Sequence, residues 1–514
     1  MGDFPMKKSK FTMLILAALA VLTFSFQNCG SPVVNRQARS SSGPTFEYEA
    51  DTSPGIDRTD GGTTAMPFAP GADLYASSKY GATDFDEWAY SLYPTSDGGY
   101  ISTGRRRVDT QGSWDVLIQK WNSLGELDYS VNVGDQWTNE GARAIELPDS
   151  YLIVGSTRSQ LDDENFNRRA DVLLLKVNKG NGDIIDAQRL GDPNISIALN
   201  DVILVDANSN PYLIAVGVYV TYTNNQPNRS QAFMMRFDPF LTVTWQQSFS
   251  ATNRRLNLNA VTYRPGSGFY AVGGWENNAG EINSLIMRFS VSGVVTRASY
   301  LNDSVAGHDE LFAIENSGYD LVAVGKHDGH NGGDGLIVRF DYSTNPTEAH
   351  LLGNANRLER LNGVKTTFDG GLLLSGDSDS INAGDMDNWI TKLDAQYEVD
   401  WAKMFGTNSD DFNDYQPIVV RSDGGYAFLT NDHNNSISGT YNPRLLLLDQ
   451  FGRIPSGCTS SKGDAPVTRS GLSPITFQTF TTSATTTSLV IDAILDDSED
   501  YEELAVTINQ FCTI

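Results

Sequence analysis

Short apolar runs alternate along this chain with clusters of Gly, Asp, Ser and Asn, and the alternation repeats. The clearest copy is Asp369-Gly370-Gly371, then Leu372-Leu373-Leu374-Ser375-Gly376, then Trp389-Ile390-Thr391-Lys392-Leu393. The glycine closing the first run returns as Gly104, Gly155, Gly217, Gly273 and Gly325, at spacings of about 50 to 60 residues, and Thr430 replaces it in the last copy. Ahead of it stands a turn such as Asp97-Gly98-Gly99 or Asp423-Gly424-Gly425, where Asp-Gly supplies the positive φ of a tight hairpin. Behind it a second run carries one base: Lys120, Lys176, Arg236, Arg288, Arg339 or Lys392. The seventh copy has Leu445-Leu446-Leu447-Leu448 and no base. A third run follows, as from Val399 to Gly406, and a fourth, such as Ala142 to Leu147, opens the next copy.

Four short runs per unit, divided by turn residues, predict a four-stranded antiparallel sheet. Seven such units predict an all-β chain folded as a seven-bladed β-propeller over residues 71–458. A tandem solenoid is the alternative, and it would need polar caps at both ends. The termini point to closure. The last copy lacks a clear fourth strand, and the spare run Leu74 to Tyr80 ahead of the first copy reads like Trp401 to Gly406. It is expected to complete blade seven. The pattern resembles the DGG-type β-propeller repeats of bacterial surface lipoproteins, the SBBP-like group, over residues 70 to 458. That resemblance implies the fold and an envelope location and names no activity; copies two to five depart from the Asp-Gly-Gly-Tyr form.

The flanks read differently. Lys7, Lys8 and Lys10 precede an apolar stretch from Phe11 to Phe26, too short for a usual membrane span, and Cys29 follows. Residues 1–29 resemble a bacterial lipoprotein signal, which implies lipidation at Cys29; an ordinary signal peptide or an uncleaved anchor is the alternative. Gly30-Ser31 places no Asp beside that cysteine, and by family analogy this points to the outer membrane of a Gram-negative envelope. Residues 30–70, rich in Ser, Gly, Thr and Pro, read as a flexible tether. Residues 459–514 read as a small C-terminal β-appendage, with strand-like runs at 489–495 and 504–511. Cys458 and Cys512 bracket it, and with Cys29 acylated they are the remaining pair among three cysteines, so a disulfide between them is expected.

The net charge of −26 disfavours nucleic acid as a partner. No nucleotide fingerprint, P-loop, GxSxG or HExxH stands in a fitting context. His327-Asp328-Gly329-His330 with Asp334 reads as a surface loop rather than a zinc site, and Asp377, Asp379, Asp385 and Asp387 lack the spacing of a calcium loop. The sequence thus points to no cofactor and no metal. One polar set recurs before the first strand of each unit: Asp86, Glu140, Asp201, Asn259, Glu310, Asn362 and Asp414. Repeat geometry would gather these on one rim near the channel mouth, either to hold a ligand or to cap inter-blade turns. The expected role is a lipid-anchored binding or scaffold module for protein or glycan. A glycan-active hydrolase or lyase in the channel, or a subunit of an outer-membrane assembly complex, are the rival readings.

Overall fold

The computed structural model describes residues 86–454 apart from short connecting segments, together with the strand pairing of residues 77–79 and of six short strands between 461 and 512. The described residues form seven antiparallel sheets and no helix. Each sheet holds one blade of four strands, which in blades one to six follow one another in sequence. In blade one these are Glu87–Pro94, Tyr100–Arg107, Trp114–Trp121 and Leu127–Gly134.

Closure is visible in the packing. The first strands of the blades touch one another in a complete circuit, and blade seven's Ile418–Val420 meets Glu87–Pro94 of blade one. Seven apolar clusters fill the seven junctions. One joins Leu429, Leu445 and Leu447 of blade seven to Ala89, Leu92 and Trp121 of blade one. The molecule is a seven-bladed β-propeller.

The middle strands of each blade are buried on both faces. Leu372–Ser378 and Asp387–Leu393 have no exposed residue, whereas the fourth strand, Val399–Phe405, alternates. Neighbouring blades cover both faces of the middle strands, which is why those segments read as unbroken apolar runs.

Ser77–Lys79 pairs antiparallel with Thr440–Leu448, with Ser77 opposite Leu446 and Lys79 opposite Arg444. The N-terminal strand therefore supplies the outermost of blade seven's four strands.

The C-terminal strands are laid out one to a blade. Ser461–Asp464 pairs with the fourth strand of blade six, Thr468–Gly471 with that of blade five, and Phe477–Thr479 with that of blade four. Asp492–Ile494 follows on blade two, Asp500–Glu503 on blade one, and Asn509–Cys512 on Ser77–Lys79 of blade seven. The segment thus runs round the circumference against the order of the blades, adding a fifth strand to six of them. Of the runs expected at 489–495 and 504–511, the described strands take residues 492–494 and 509–512. Residues 1–76, including Cys29, and Cys458, Asp414, His330 and Asp385 lie outside the described residues.

The anchor glycines mark a bulge. Gly104 pairs with Ala89, and the register then skips Tyr90 before Thr103 meets Ser91. The same skip falls opposite Gly155, Gly217, Gly273, Gly325 and Gly376. The bulge pushes a carbonyl against the neighbouring strand: a Cβ at Gly104 would sit 1.8 Å from the Trp88 oxygen, and one at Gly376 would sit 1.9 Å from that of Arg360. Blade seven is the exception that explains itself. Its first strand pairs only from Ile418, so no bulge lies opposite residue 430, and Thr430 fits.

Candidate binding face

The two faces of the ring differ. The turns joining first to second and third to fourth strands lie together on one face, here called the turn face. The segments joining second to third strands, and blade to blade, leave from the opposite, loop face. The recurrent polar residues belong to the inner strands on the loop side, and they do not share one position. Counted from the bulge residue, Glu140 and Glu310 lie two before it, Asn259 and Asn362 occupy it, Asp201 follows it, and Asp86 precedes the strand.

The bulge amides bond to the next blade. Asn200 donates to the Leu258 carbonyl at 2.8 Å, and Asn259 donates to the Leu311 carbonyl at 2.9 Å. Those carbonyls belong to the residues at which the next blade's ladder slips, so each amide satisfies a backbone group that a bulge displaces. Glu310 accepts from Asn257 at 2.7 Å and from Asn259 at 2.9 Å. Asn362 accepts the Ser375 hydroxyl at 3.0 Å, and Glu140 faces Arg105 at 3.4 Å. Asp86 accepts the Tyr441 N–H at 3.2 Å, which ties blade one to blade seven. At the same closing junction Asn431 accepts from the Ala89 N–H at 2.8 Å and donates to its carbonyl at 2.9 Å.

Nearer the axis, Arg143 of blade two reaches past blade one to blade seven. Its guanidinium donates to the Gln416 carbonyl and side-chain oxygens at 3.4 and 3.3 Å, and its Nε stands 3.5 Å from Asp201. Asp201 also accepts the N–H groups of Val202 at 2.9 Å and Val261 at 3.0 Å. Burial pushes the Asp201 carboxyl above the usual carboxylate range, against the pull of Arg143. The inner ring is thus cross-tied by hydrogen bonds between blades.

Two histidines stand beside carboxylates. His327 stands 2.8 Å from Asp309, both buried, and His350 2.6 Å from Glu348. Among the described residues no group of three or more His, Cys, Asp or Glu side chains could hold a metal ion, and no helix is long and apolar enough to cross a membrane.

The turn face carries a different chemistry, and its turns are firmly built. In Asp97-Gly98-Gly99 the first glycine has φ of 81°, and the Asp97 carboxylate accepts the Gly99 N–H at 2.9 Å. The recurrent base explains the rest. Lys120 lies buried beneath the turn, 2.8 Å from Asp97 and 2.9 Å from the Trp121 carbonyl. A Cβ at Gly99 would come within 2.1 Å of the Trp121 carbonyl oxygen and 2.7 Å of that ammonium, so the second glycine makes room for the neighbouring strand's backbone as well as for the lysine. Lys392 repeats the arrangement with Asp369 at 2.8 Å. Blade seven, with Leu447 in place of the base, pairs Asp423 with Arg421 at 2.5 Å instead. Burial favours the neutral Asp97 and Asp369, yet the lysine beside each, with a Thr hydroxyl and a glycine N–H, holds both carboxyls below the ordinary range.

On these turns sit exposed apolar side chains: Leu124, Phe240, Val291, Val294, Tyr319, Phe368 and Phe451. Phe368 is 65% exposed and Phe451 51%, and they flank a cleft of about 400 Å3 between blades six and seven. Trp401, Tyr426, Asp369, Asp400, Lys392 and Gln450 also line it. No residue of this cleft was among the predicted site residues. A phenylalanine at the tip of the turn Thr367-Phe368-Asp369, where blade one has Ser96, was the signal available in the sequence.

No family model matches the chain, and no curated protein matches it. Solved structures do. The mannose phosphorylase MPT-4 from Leishmania mexicana, in complex with phosphate ion, is 12% identical, with 61% of this chain and 86% of that one covered and a TM-score of 0.30. Sqt1 of Chaetomium thermophilum is 10% identical, with 73% of this chain and 98% of that one covered and a TM-score of 0.37. A second Sqt1 structure, bound to the N-terminus of the ribosomal protein L10, has the same identity and TM-score over 72% of this chain and 98% of that one. At these values the likeness carries no argument about activity or partners.

Proposed function

We propose that the protein is a lipid-anchored binding module of the bacterial cell envelope, held by an acyl group on Cys29 and engaging a partner through its turn face. The observation that carries the reading is the contrast between the two faces. The polar groups of the inner ring are engaged in holding blades together, whereas the turn face presents aromatic side chains to solvent beside an open cleft. Exposed aromatics on a rigid frame are the usual anchors of a binding surface. The anchor rests on the basic, apolar and cysteine pattern of residues 1–29, and the outer membrane is its proposed site. A disulfide between Cys458 and Cys512 belongs to the same exported reading.

Pull-down from detergent-solubilised envelopes tests the function. A stoichiometric partner should be retained by the parent chain and lost when Phe368 and Phe451 are both changed to Ser. Equal capture by parent and variant would move the binding surface elsewhere. Cys29→Ser should shift the chain from the membrane to the soluble fraction, because the anchor is a covalent lipid; unchanged fractionation would exclude it.

A further inference from the structure

We infer that the cleft between blades six and seven is a receptor for a cationic side chain, the guanidinium or ammonium group of a basic segment on a protein partner. This rests on the turn-face reading above and adds the chemistry of what is recognised. Three observations carry it.

The first is the balance of donors and acceptors. Two carboxylates line the cleft, Asp369 and Asp400, and one ammonium, Lys392, stands between them at 2.8 and 3.5 Å. That ammonium is only 3% exposed and also donates to the Leu393 carbonyl at 2.8 Å, so its three protons are engaged inside the protein. The Asp400 side chain, 45% exposed, faces outward with acceptor capacity to spare. The nearby Arg453 and Arg421 are paired with Asp449 at 2.6 Å and with Asp423 at 2.5 Å. The cleft accepts hydrogen bonds and holds one negative charge more than it neutralises.

The second is the aromatic wall. Phe368 and Phe451, both exposed, offer rings of the kind that attract a cation, beside Trp401, whose ring packs under Gly452. Arg453 lies over Phe451 at 4.8 Å, so this ring already makes one contact of that kind.

The third is the comparison with other junctions, where the chain fills this role itself. Lys176 of blade two lies 5.9 Å from the Phe240 ring on blade three, Arg264 of blade four 3.1 Å from Tyr342 on blade five, and Arg339 of blade five 4.8 Å from Tyr397 on blade six. In each, a base of one blade meets an aromatic on the third-to-fourth turn of the next. At the sixth junction Lys392 is turned inward onto oxygens, and the aromatic of the next turn, Phe451, is met by Arg453 of its own blade rather than by a base of the preceding one. An incoming cation would occupy the place that a base of the preceding blade takes elsewhere. The buried Tyr426 at the cleft floor senses the same field: after burial itself, Asp369, Asp400 and Asp449 push its hydroxyl pKa further up.

The test is a polarisation titration of the detergent-solubilised full chain with a fluorescein-labelled Gly-Arg-Gly-Arg-Gly peptide. Binding should weaken with added salt and fall about tenfold in Asp400→Asn and in Phe451→Ala, since each removes one charge or ring contact. Asp183→Asn, an equal charge change on the exposed turn of blade two, should leave it unchanged. Melting curves matching the parent would show that the exposed-site variants fold. Equal binding by all three variants would mean attraction to the acidic surface at large and would overturn the proposal. Binding of a neutral oligosaccharide in place of the peptide, lost in Phe451→Ala but kept in Asp400→Asn, would also overturn it and identify the cleft as a glycan site. Retention of an envelope partner by a chain that fails the peptide test would leave the module reading standing and remove only this one.

Discussion

The Asp-Gly-Gly turn is a small machine whose parts are separated by more than twenty residues. Its first glycine takes a φ of 83° in blade six, its second makes room for the Leu393 carbonyl and for Lys392, and its aspartate meets that lysine from above. The anchor glycine is just as strict, because here too a backbone carbonyl occupies the space. Gly376→Ala should cost about 3 kcal/mol or more, since a carbonyl 1.9 Å from the new Cβ can yield only by breaking the ladder. Thr430→Ala, at the same place in blade seven, should cost about 1 kcal/mol, for one hydrogen bond to Asp432 at 3.0 Å. Denaturant melts of the two variants check this, and similar losses would mean that the bulge does not set the glycine requirement. Protonation has its own signature. Asp97 titrates below its ordinary range in the fold, so its contribution is complete above the unfolded value and is lost as pH falls through the folded one. Asp201 has the opposite sign: its folded pKa is raised, and its contribution declines as pH rises through that value. Asp97→Asn should therefore flatten the acid limb of the stability curve while costing under about 1 kcal/mol at neutral pH, because this carboxylate is largely exposed.

At the scale of strands and turns, neighbouring blades are matched by volume. The third residue of the fourth strand is Tyr129, Trp245 or Trp401 in blades one, three and six. The turn it meets on the next blade has Gly182, Gly293 or Gly452 at a positive-φ position. A Cβ at those glycines would approach the ring within 2.8, 2.7 and 2.6 Å. Where that strand residue is Asp186, Arg297 or Glu348, the next turn carries Leu241, Thr344 or Tyr397 at the same position, also with positive φ. Thus the side chain of one blade fills the gap that the ring of the other leaves. Gly293→Leu should be strongly destabilising alone and much milder beside Trp245→Ala, with a coupling of about 1 kcal/mol or more in a double-mutant cycle. Additive losses would show that the pairing is coincidental. Much of this level was legible beforehand. Continuous apolar runs gave the doubly covered middle strands, and Asp-Gly gave the turns. The polar residues before each first strand were legible as recurrent, but repeat counting could not see that a bulge shifts their register, so residues expected on one rim occupy four different positions. The cleft was illegible because Phe368, Asp400 and Phe451 come from different turns and strands of two blades and meet only once the blades pack.

The whole molecule is closed at two levels, and each should fail in its own way. The inner closure is Ser77–Lys79 on blade seven, which joins the start of the chain to its last blade. The outer one is the C-terminal belt, whose six described strands are three or four residues long and composed largely of Ser, Thr, Gly and acidic residues. No alternation betrays such strands, because edge pairing asks only for backbone groups, and this is why the belt's course could not be read from its sequence. The belt ends beside the strand that closes the ring: Asn509–Cys512 pairs with Ser77–Lys79, so that strand is held from both sides. Deleting residues 1–66 removes no described strand and should leave the melting temperature unchanged. Deleting residues 1–82 removes one strand of blade seven together with the belt's final support, and the ring loses its closing ladder. Deleting residues 459–514 leaves every four-stranded blade and all seven inter-blade clusters intact. It strips the cover from the outer edges, which are open templates for pairing with other chains. That truncation should therefore keep a cooperative melt, lowered by less than in the 1–82 deletion, but aggregate with a strong dependence on concentration. Thermal melts with light scattering on the three truncations decide the matter. An unaltered melt on loss of residues 1–82 would place the closure elsewhere, and a monodisperse 459–514 deletion would show that the belt does not guard the edges.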